Sequence, residues 1–471
     1  MGAHFITKKS INLALIKSIS GIRGTIGGAA GENLTPQDVV ECTAAFGYWL
    51  QQEGANPRVV LGRDGRISGE LVSALVTQTL VSLGFEVIDL DYSTTPTVEI
   101  AVPKEQAGAG IVITASHNPK EWNALKFLNH KGEFISKKDG ESLLALLDSG
   151  AIQFKNVDQL GKHIRKEGYI QKHIDILLNM PMVDVESVKS KGFRVVVDGI
   201  NSTGSISVPP LLEALGCEVV LLNGVLNGQF AHNPEPLPKN LQDLAAKVLA
   251  EKADLGIAVD PDVDRLAFVN EDGSMFGEEY TLVAVADFIL SQKKGNTVSN
   301  LSSTRALRDV TQKHGGTYFA SAVGEVNVVE MMKAQDAVIG GEGNGGIIVP
   351  DLHYGRDALA GIALFLTHLA KFGRPMTALR ATYPVYKMVK DKIALTPAID
   401  VDALIAALHK KYENEDCNTI DGLKIDFAQG WVHLRKSNTQ PIIRVYAEHD
   451  SLENAKALVD QMKSDVDHIL K

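Results

Sequence analysis

One pattern occurs three times along the chain, and that repetition limits the possible folds more than any other feature. Residues 58–90 (RVVLGRDGR through LVSALVTQTLVSLGFEVIDL) and 194–222 (RVVVDGINSTGS through PPLLEALGCEVVLL) follow the same order. Each has a short β-branched run, a glycine-bearing polar loop, a helix-length apolar pattern and a second apolar run. Both carry Leu-Gly-x-Glu-Val, from Leu83 to Val87 and from Leu215 to Val219, which sets a glycine helix stop just before the next strand. A looser third copy fills 296–323, again helix, Gly-Gly, strand. Continuous apolar strands that alternate with helices build βαβ units around a largely parallel sheet covered on both faces. Three copies predict three related α/β/α domains with mixed, largely parallel sheets.

Past residue 388 the pattern changes. VYKMVKDKIAL, GLKIDFA, WVHLRKS and IIRVYAE read as period-2 strands, and 451–470 as a closing helix behind a Ser451 N-cap. The apolar face expected on that helix comprises Leu452, Ala455, Leu458, Val459, Met462, Val466 and Ile469. This is an α+β unit. The expected domains are 1–165, 166–272, 273–388 and 389–471, and the lack of a low-complexity linker predicts close packing around a shared cleft.

Composition then removes several functions. The 471 residues carry 47 basic and 57 acidic side chains, a net charge of −10, so a nucleic-acid partner has no global electrostatic support. An anionic small substrate needs a local basic pocket instead. Cys42, Cys217 and Cys417 are odd in number and far apart, which suits a reducing compartment and buried filler roles. The apolar run from Ile11 to Ile16 is too short for a secretion signal, Ile6 fails a myristoylation motif, and no stretch of 18 apolar residues exists. A cytoplasmic protein is expected.

In Gly110-Ile-Val-Ile-Thr-Ala-Ser116-His117-Asn118-Pro119, an apolar strand delivers Ser116 to a turn at the carboxyl end of a sheet, where open α/β sheets bind ligands. An ordinary polar turn has the same composition. A seryl hydroxyl is a weak nucleophile without an activating base or metal. Gly256-Ile-Ala-Val-Asp260-Pro261-Asp262-Val263-Asp264-Arg265 supplies three carboxylates at alternate positions after a strand. Like charges about 4 Å apart cost about 4 kcal/mol per pair at an effective dielectric near 20. A hard divalent cation relieves that repulsion. An EF-hand is rejected, because Arg265 stands where that loop needs glycine and strands flank the acids. An aspartyl-phosphate loop fits the strand exit but not Pro261, and a solvated acidic turn is the remaining alternative.

Gly341-Glu342-Gly343-Asn344-Gly345-Gly346 matches GxGxxG, yet strand-like Ile347-Ile348-Val349 follows where a dinucleotide site needs a helix. Glu342 and Asn344 there can present an acceptor and an amide to hydroxyls, although a plain strand-to-strand turn explains the glycines equally well. Arg435-Lys436-Ser437-Asn438-Thr439-Gln440-Pro441, with Arg444 beyond, forms a short anion cradle. Arg23, in Ser20-Gly21-Ile22-Arg23-Gly24, reads as a phosphate contact, and Gly62-Arg63-Asp64-Gly65-Arg66 as a solvated loop.

Together GIRG, TASHNPKEWNALK, DPDVDR, GEGNGG and RKSNTQPIIR, in this order from about residue 16 onward, resemble the α-D-phosphohexomutase superfamily. The resemblance implies three α/β domains and a C-terminal domain like the TATA-binding-protein fold, around one central cleft. It implies that Ser116 becomes phosphoserine and, with Asp260, Asp262 and Asp264, binds Mg²⁺. A sugar monophosphate would pass through a hexose 1,6-bisphosphate. Arg23, His117, Asn118, Lys126 and Arg265 would surround the phosphoryl group. Glu342 and Asn344 would hold sugar hydroxyls, and Arg435, Ser437, Asn438, Thr439 and Arg444 the second phosphate. Many bacterial members read Gly-Glu-x-Ser-Gly-His where this chain has Asn344 and Gly346, and some carry Gly-His at Gly324-Glu325. Lys126 is therefore the expected proton-transfer group, with His353 second. The implied activity is hexose-phosphate mutation, on glucosamine phosphate first and mannose or glucose phosphate second. A phosphatase with an Asp nucleophile and a non-catalytic sugar-phosphate binder are the other classes. The expected partner is a phosphorylated hexose, without nucleic acid or membrane, and the expected state is monomer or homodimer.

Overall fold

The computed structural model describes residues 15–18, 21–150, 152–395, 399–437 and 442–470, in two compact units. The first unit runs to Tyr169 and also takes in 201–203 and 226–234. Its strands are β1 (Ile16–Ser18), β2 (Gly21–Thr25), β3 (Arg58–Arg63), β4 (Glu86–Tyr92), β5 (Ala109–Ile113), β6 (Trp122–Leu128) and β7 (Lys162–Arg165). They form one mixed sheet in the order β1-β2-β6-β5-β3-β4-β7. β5, β3, β4 and β7 run parallel, and β6 returns antiparallel beside β5. The apolar run of β3 has no polar alternation because both faces are covered: Val59 and Leu61 enter one core, Val60 the other. The helix Gly69–Ser82 is followed by Gly84 at φ +89°, and Gly216 after the corresponding helix of the next repeat is at φ +76°. The shared Leu-Gly thus ends both helices in the left-handed conformation glycine tolerates.

The second unit contains three sheets. β8 (Arg194–Asp198), β9 (Glu218–Leu222), β10 (Leu255–Val259) and β11 (Leu266–Asn270) are ordered β11-β10-β8-β9. β12 (Asn296–Asn300), β13 (Tyr318–Ser321), β14 (Ala337–Glu342) and β15 (Gly346–Ile348) are ordered β13-β12-β14-β15. In both, three strands are parallel and the last is antiparallel to the third. The set β3 to β6 has this same arrangement in the first unit. The repeat in sequence is therefore a repeat in topology, as expected.

The fourth sheet is antiparallel throughout. β16 (Lys387–Ala394), β17 (Asp416–Asn418), β18 (Leu423–Asp426), β19 (Gly430–Lys436) and β20 (Ile442–His449) lie in the order β16-β20-β19-β18-β17. Ile443, Val445 and Ala447 of β20 face a core shared with the helices Val401–Lys411 and Leu452–Ile469. The first of these helices and β17 were not anticipated. Ser451 caps the second, its Oγ accepting from Asn454 N at 3.2 Å. The middle turns carry the buried stripe of Ala455, Val459, Met462 and Val466, while Leu452 and Ile469, in the end turns, are exposed. Cys42 and Cys217 are buried fillers, but Cys417 is only half-buried. Among the described residues no helix is long and apolar enough to cross a membrane.

Candidate active site

The third and fourth strands of each repeat make a hairpin, and each hairpin carries one chemistry-bearing motif. The residues between the closing register pairs are 114–124, 260–265 and 343–345. Counted from the first residue of β5, β10 and β14, the sixth residues are Thr114, Asp260 and Glu342, and the eighth are Ser116, Asp262 and Asn344.

In the first unit Ser116 is buried at φ +49°, a conformation a non-glycine residue adopts only when its surroundings enforce it. Its N–H donates to Thr114 Oγ1 at 2.9 Å, and Thr114 Oγ1 donates to Asp64 Oδ2 at 2.7 Å. The same carboxylate oxygen accepts from Arg66 Nε at 3.0 Å. Arg66 Nη1 donates to the carbonyls of Pro119 (2.7 Å) and Trp122 (2.9 Å), and Nη2 to those of Asn118 (2.7 Å) and Ser116. The reading of 62–66 as a solvated loop is overturned: Arg66 is 1% exposed. Four backbone carbonyls and a carboxylate offset the cost of burying its charge. Arg63 is buried too, on Asp91 and against the Tyr92 ring.

His117 Nδ1 lies 3.4 Å from Ser116 Oγ. Asn118 is half-buried, and its Oδ1 has no hydrogen-bond partner among the described residues. Register pairs Arg23 with Ala124 and Gly21 with Lys126, so Arg23 and Lys126 stand on one face of the sheet.

In the second unit Asp260, Asp262 and Asp264 are fully buried, with candidate ligand oxygens all within 4.8 Å of one another. Asp260 Oδ1 accepts from the N–H groups of Asp264 and Arg265, both at 3.1 Å. Val263 between them is at φ +62°, an outlier for a β-branched side chain, and this turn folds the later acids back onto Asp260. Buried hard oxygen donors at this spacing fit a divalent cation. The flanks are β10 and β11, in keeping with the rejection of an EF-hand. Arg265 pairs with Glu235 at 3.6 Å.

Sequence reasoning missed Arg356. Its Nη2 meets Asp264 Oδ2 at 2.6 Å, Nη1 meets Glu342 Oε2 at 3.1 Å, and Nε meets Glu325 Oε2 at 2.9 Å. Burial opposes its charge, but Asp264, Glu325, Glu342 and Asp260 hold the guanidinium ionised well above the usual range. The sequence around it, with only Asp351 and Asp357 as nearby acids, gave no signal of these partners. Glu342 Oε1 also accepts from Asn300 Nδ2 (2.9 Å) and Gly324 N (3.2 Å), and Asn344 Oδ1 accepts from Gly346 N at 3.2 Å. His353 closes on Asp357 at 3.1 Å, a carboxylate it shares with His173.

Across the fourth sheet Lys392, Arg444 and Arg435 are register neighbours on three adjacent strands. Like charges directly opposite are unfavourable without an anion, and Lys392 was not singled out from sequence. Arg435 meets Asp421 Oδ2 at 3.3 Å, and the same oxygen accepts from Val323 N at 3.0 Å. Arg444 Nε is buried without a hydrogen-bond partner among the described residues. Ser437 is buried, its N–H on Ile442 O, whereas Asn438 and Thr439 lie outside the described residues.

Four family models match in succession. The descriptions are phosphoglucomutase/phosphomannomutase alpha/beta/alpha domain I over 15–152, domain II over 169–273, domain III over 277–386, and C-terminal domain over 389–464. The chain belongs to the phosphoglucomutase/phosphomannomutase family. A family relative from Thermococcus kodakarensis, named phosphoglucomutase/phosphomannomutase, is 36% identical over 93% of this chain and 96% of its own. One from Methanopyrus kandleri, named probable phosphoglucosamine mutase, is 34% identical over 94% and 95%. A crystal structure of a family protein from Burkholderia thailandensis matches with a TM-score of 0.81 at 26% identity, covering 97% of both chains. The four-domain family architecture, with its antiparallel C-terminal sheet, is therefore present here.

Proposed function

We propose that this family member interconverts hexose 6-phosphate and hexose 1-phosphate through a phosphoserine at Ser116, with glucosamine phosphate as preferred substrate. The observation that carries the reading is Ser116 itself, held at positive φ on a hairpin equivalent in position to those of Asp262 and Asn344.

In this reading the phosphoryl group on Ser116 Oγ passes to a sugar hydroxyl: the P–Oγ bond breaks as the new P–O bond forms. The hydroxyl proton passes through the unprotonated Lys126 Nζ to the departing Ser116 Oγ. The hexose 1,6-bisphosphate reorients, its other phosphoryl group returns to Ser116 Oγ, and the serine proton goes back through Lys126 to the freed sugar oxygen. Asp260, Asp262 and Asp264 would hold a divalent ion, Mg²⁺ in this reading, which supplies charge neutralisation for the transfer. Arg23, His117, Asn118 and Arg265 steady the transferring group, Glu342 and Asn344 orient the sugar, and Arg435, Ser437, Asn438, Thr439 and Arg444 bind the distal phosphate. A phosphorylated hexose is the partner, with no nucleic acid or membrane, in a cytoplasmic monomer or homodimer.

The relative named phosphoglucomutase/phosphomannomutase supports a second reading, in which mannose or glucose phosphate is preferred. Parallel initial rates with glucosamine 6-phosphate, mannose 1-phosphate and glucose 1-phosphate, with Mg²⁺ and hexose 1,6-bisphosphate, decide between them. Fastest turnover of the amino sugar is expected. No turnover of any of the three, with no phosphoryl group on Ser116 by intact-mass spectrometry, would refute both.

A further inference from the structure

We infer that Arg356 is a positioning residue that ties the metal-loop carboxylate Asp264 to the sugar-loop carboxylate Glu342, and that position 346 is glycine because this arginine crosses it. The inference rests on the proposed reading only in assigning both loops to one reaction.

The backbone of Arg356 is fixed beside β15, through a bridge to Ile348 and the bond from Asp357 N to Ile347 O at 2.8 Å. From there its side chain runs back over Gly346. A Cβ at 346 would lie 2.3 Å from Arg356 Cδ and 3.1 Å from Cγ. Gly346 does not have the left-handed backbone that calls for glycine, so space alone excludes a side chain there. The arginine cannot swing aside. Each guanidinium nitrogen takes a different buried carboxylate, and its own N–H donates to Glu325 Oε1 at 3.0 Å. Moving it would leave Asp264, Glu325 and Glu342 without that cation. A planar fork reaches three carboxylates at once, and a lysine ammonium cannot. A histidine at 346 and Arg356 therefore exclude one another in this chain. The metal loop and sugar loop are set by a charge that does not titrate.

A double-mutant cycle of Gly346→Ala and Arg356→Lys tests this, read by Mn²⁺ titration without sugar and by kcat and KM. Each single variant should shift Mn²⁺ affinity and lower kcat by about 10-fold or more, with thermal midpoints tracked alongside. The double variant should be within about twofold of the worse single one, because both changes displace the same side chain. Losses that multiply, or a Gly346→Ala variant within twofold of wild type in both readouts, overturn the inference. Should Arg356→Lys fail to fold, the Gly346→Ala arm still decides. If wild type turns over no sugar phosphate, the proposed function fails, while the Mn²⁺ cycle continues to test Arg356.

Discussion

The first and second repeats place different chemistry on the same turn, each around a buried arginine. In the first, the turn spans 114–124 and Arg66 grips its carbonyls, so what is held is the main chain that carries Ser116. In the second, the turn spans 260–265, its own Asp260 gathers the backbone N–H groups, and Arg356 grips a carboxylate side chain. Topology decides where the turn sits. Residue identity, Ser116 against Asp262 at the equivalent position, decides whether it offers a hydroxyl or a carboxylate, and turn length and the group the arginine holds differ with it.

The largest effect should come from Ser116→Ala. It should lower kcat by about 10³-fold or more, with Mn²⁺ binding and thermal midpoint close to wild type. Retained turnover would erase the contrast between a nucleophile turn and a metal turn. Next is Arg66→Met, which strands Asp64 in a fully buried pair. Denaturant unfolding should show a loss of about 3–5 kcal/mol, and a loss below 1 kcal/mol would mean that the first turn does not need its arginine. Asp262→Asn should weaken Mn²⁺ binding by about 10-fold or more while phosphoryl occupancy of Ser116 is measured separately. An unchanged titration removes the second turn from metal binding.

The smallest effect belongs to the second unit alone. Burial pushes the His433 imidazole down to about 4, and it is held neutral between Ser302 Oγ and Asp421 O. Below about pH 6.5 the unfolded chain takes up that proton first. The contribution is therefore complete above pH 6.5 and lost progressively down to about pH 4. At pH 5.5 wild type should have lost about 1 kcal/mol relative to its pH 7.5 value, and His433→Gln should lack that slope. Hydrogen exchange that loosens the first unit instead would assign the slope elsewhere.

Much of this was legible in sequence. Period, glycine stops and β-branched runs are local signals, so the three α/β sheets could be read from 58–90, 194–222 and 296–323. The Asp260–Asp264 trio was legible because its members are two residues apart. Arg66 and Arg356 were not, since most of their partners lie far along the chain: the carbonyls held by Arg66 are 50 to 56 positions away, and the carboxylates held by Arg356 are 14, 31 and 92 away. A charge beside a glycine reads as solvated until its acceptors are known. The helix 401–411 was missed for another reason: it lies between period-2 runs that suggested an unbroken series of strands.

The backbone at Ser116 bears on one more choice. Threonine offers an alcohol of the same kind, and phosphoryl chemistry alone has no reason to prefer one over the other. At φ +49°, however, the extra methyl of a β-branched residue crowds the main chain where serine does not. If Ser116 is the phosphoryl acceptor proposed above, a torsion angle favours serine over threonine there before any substrate arrives.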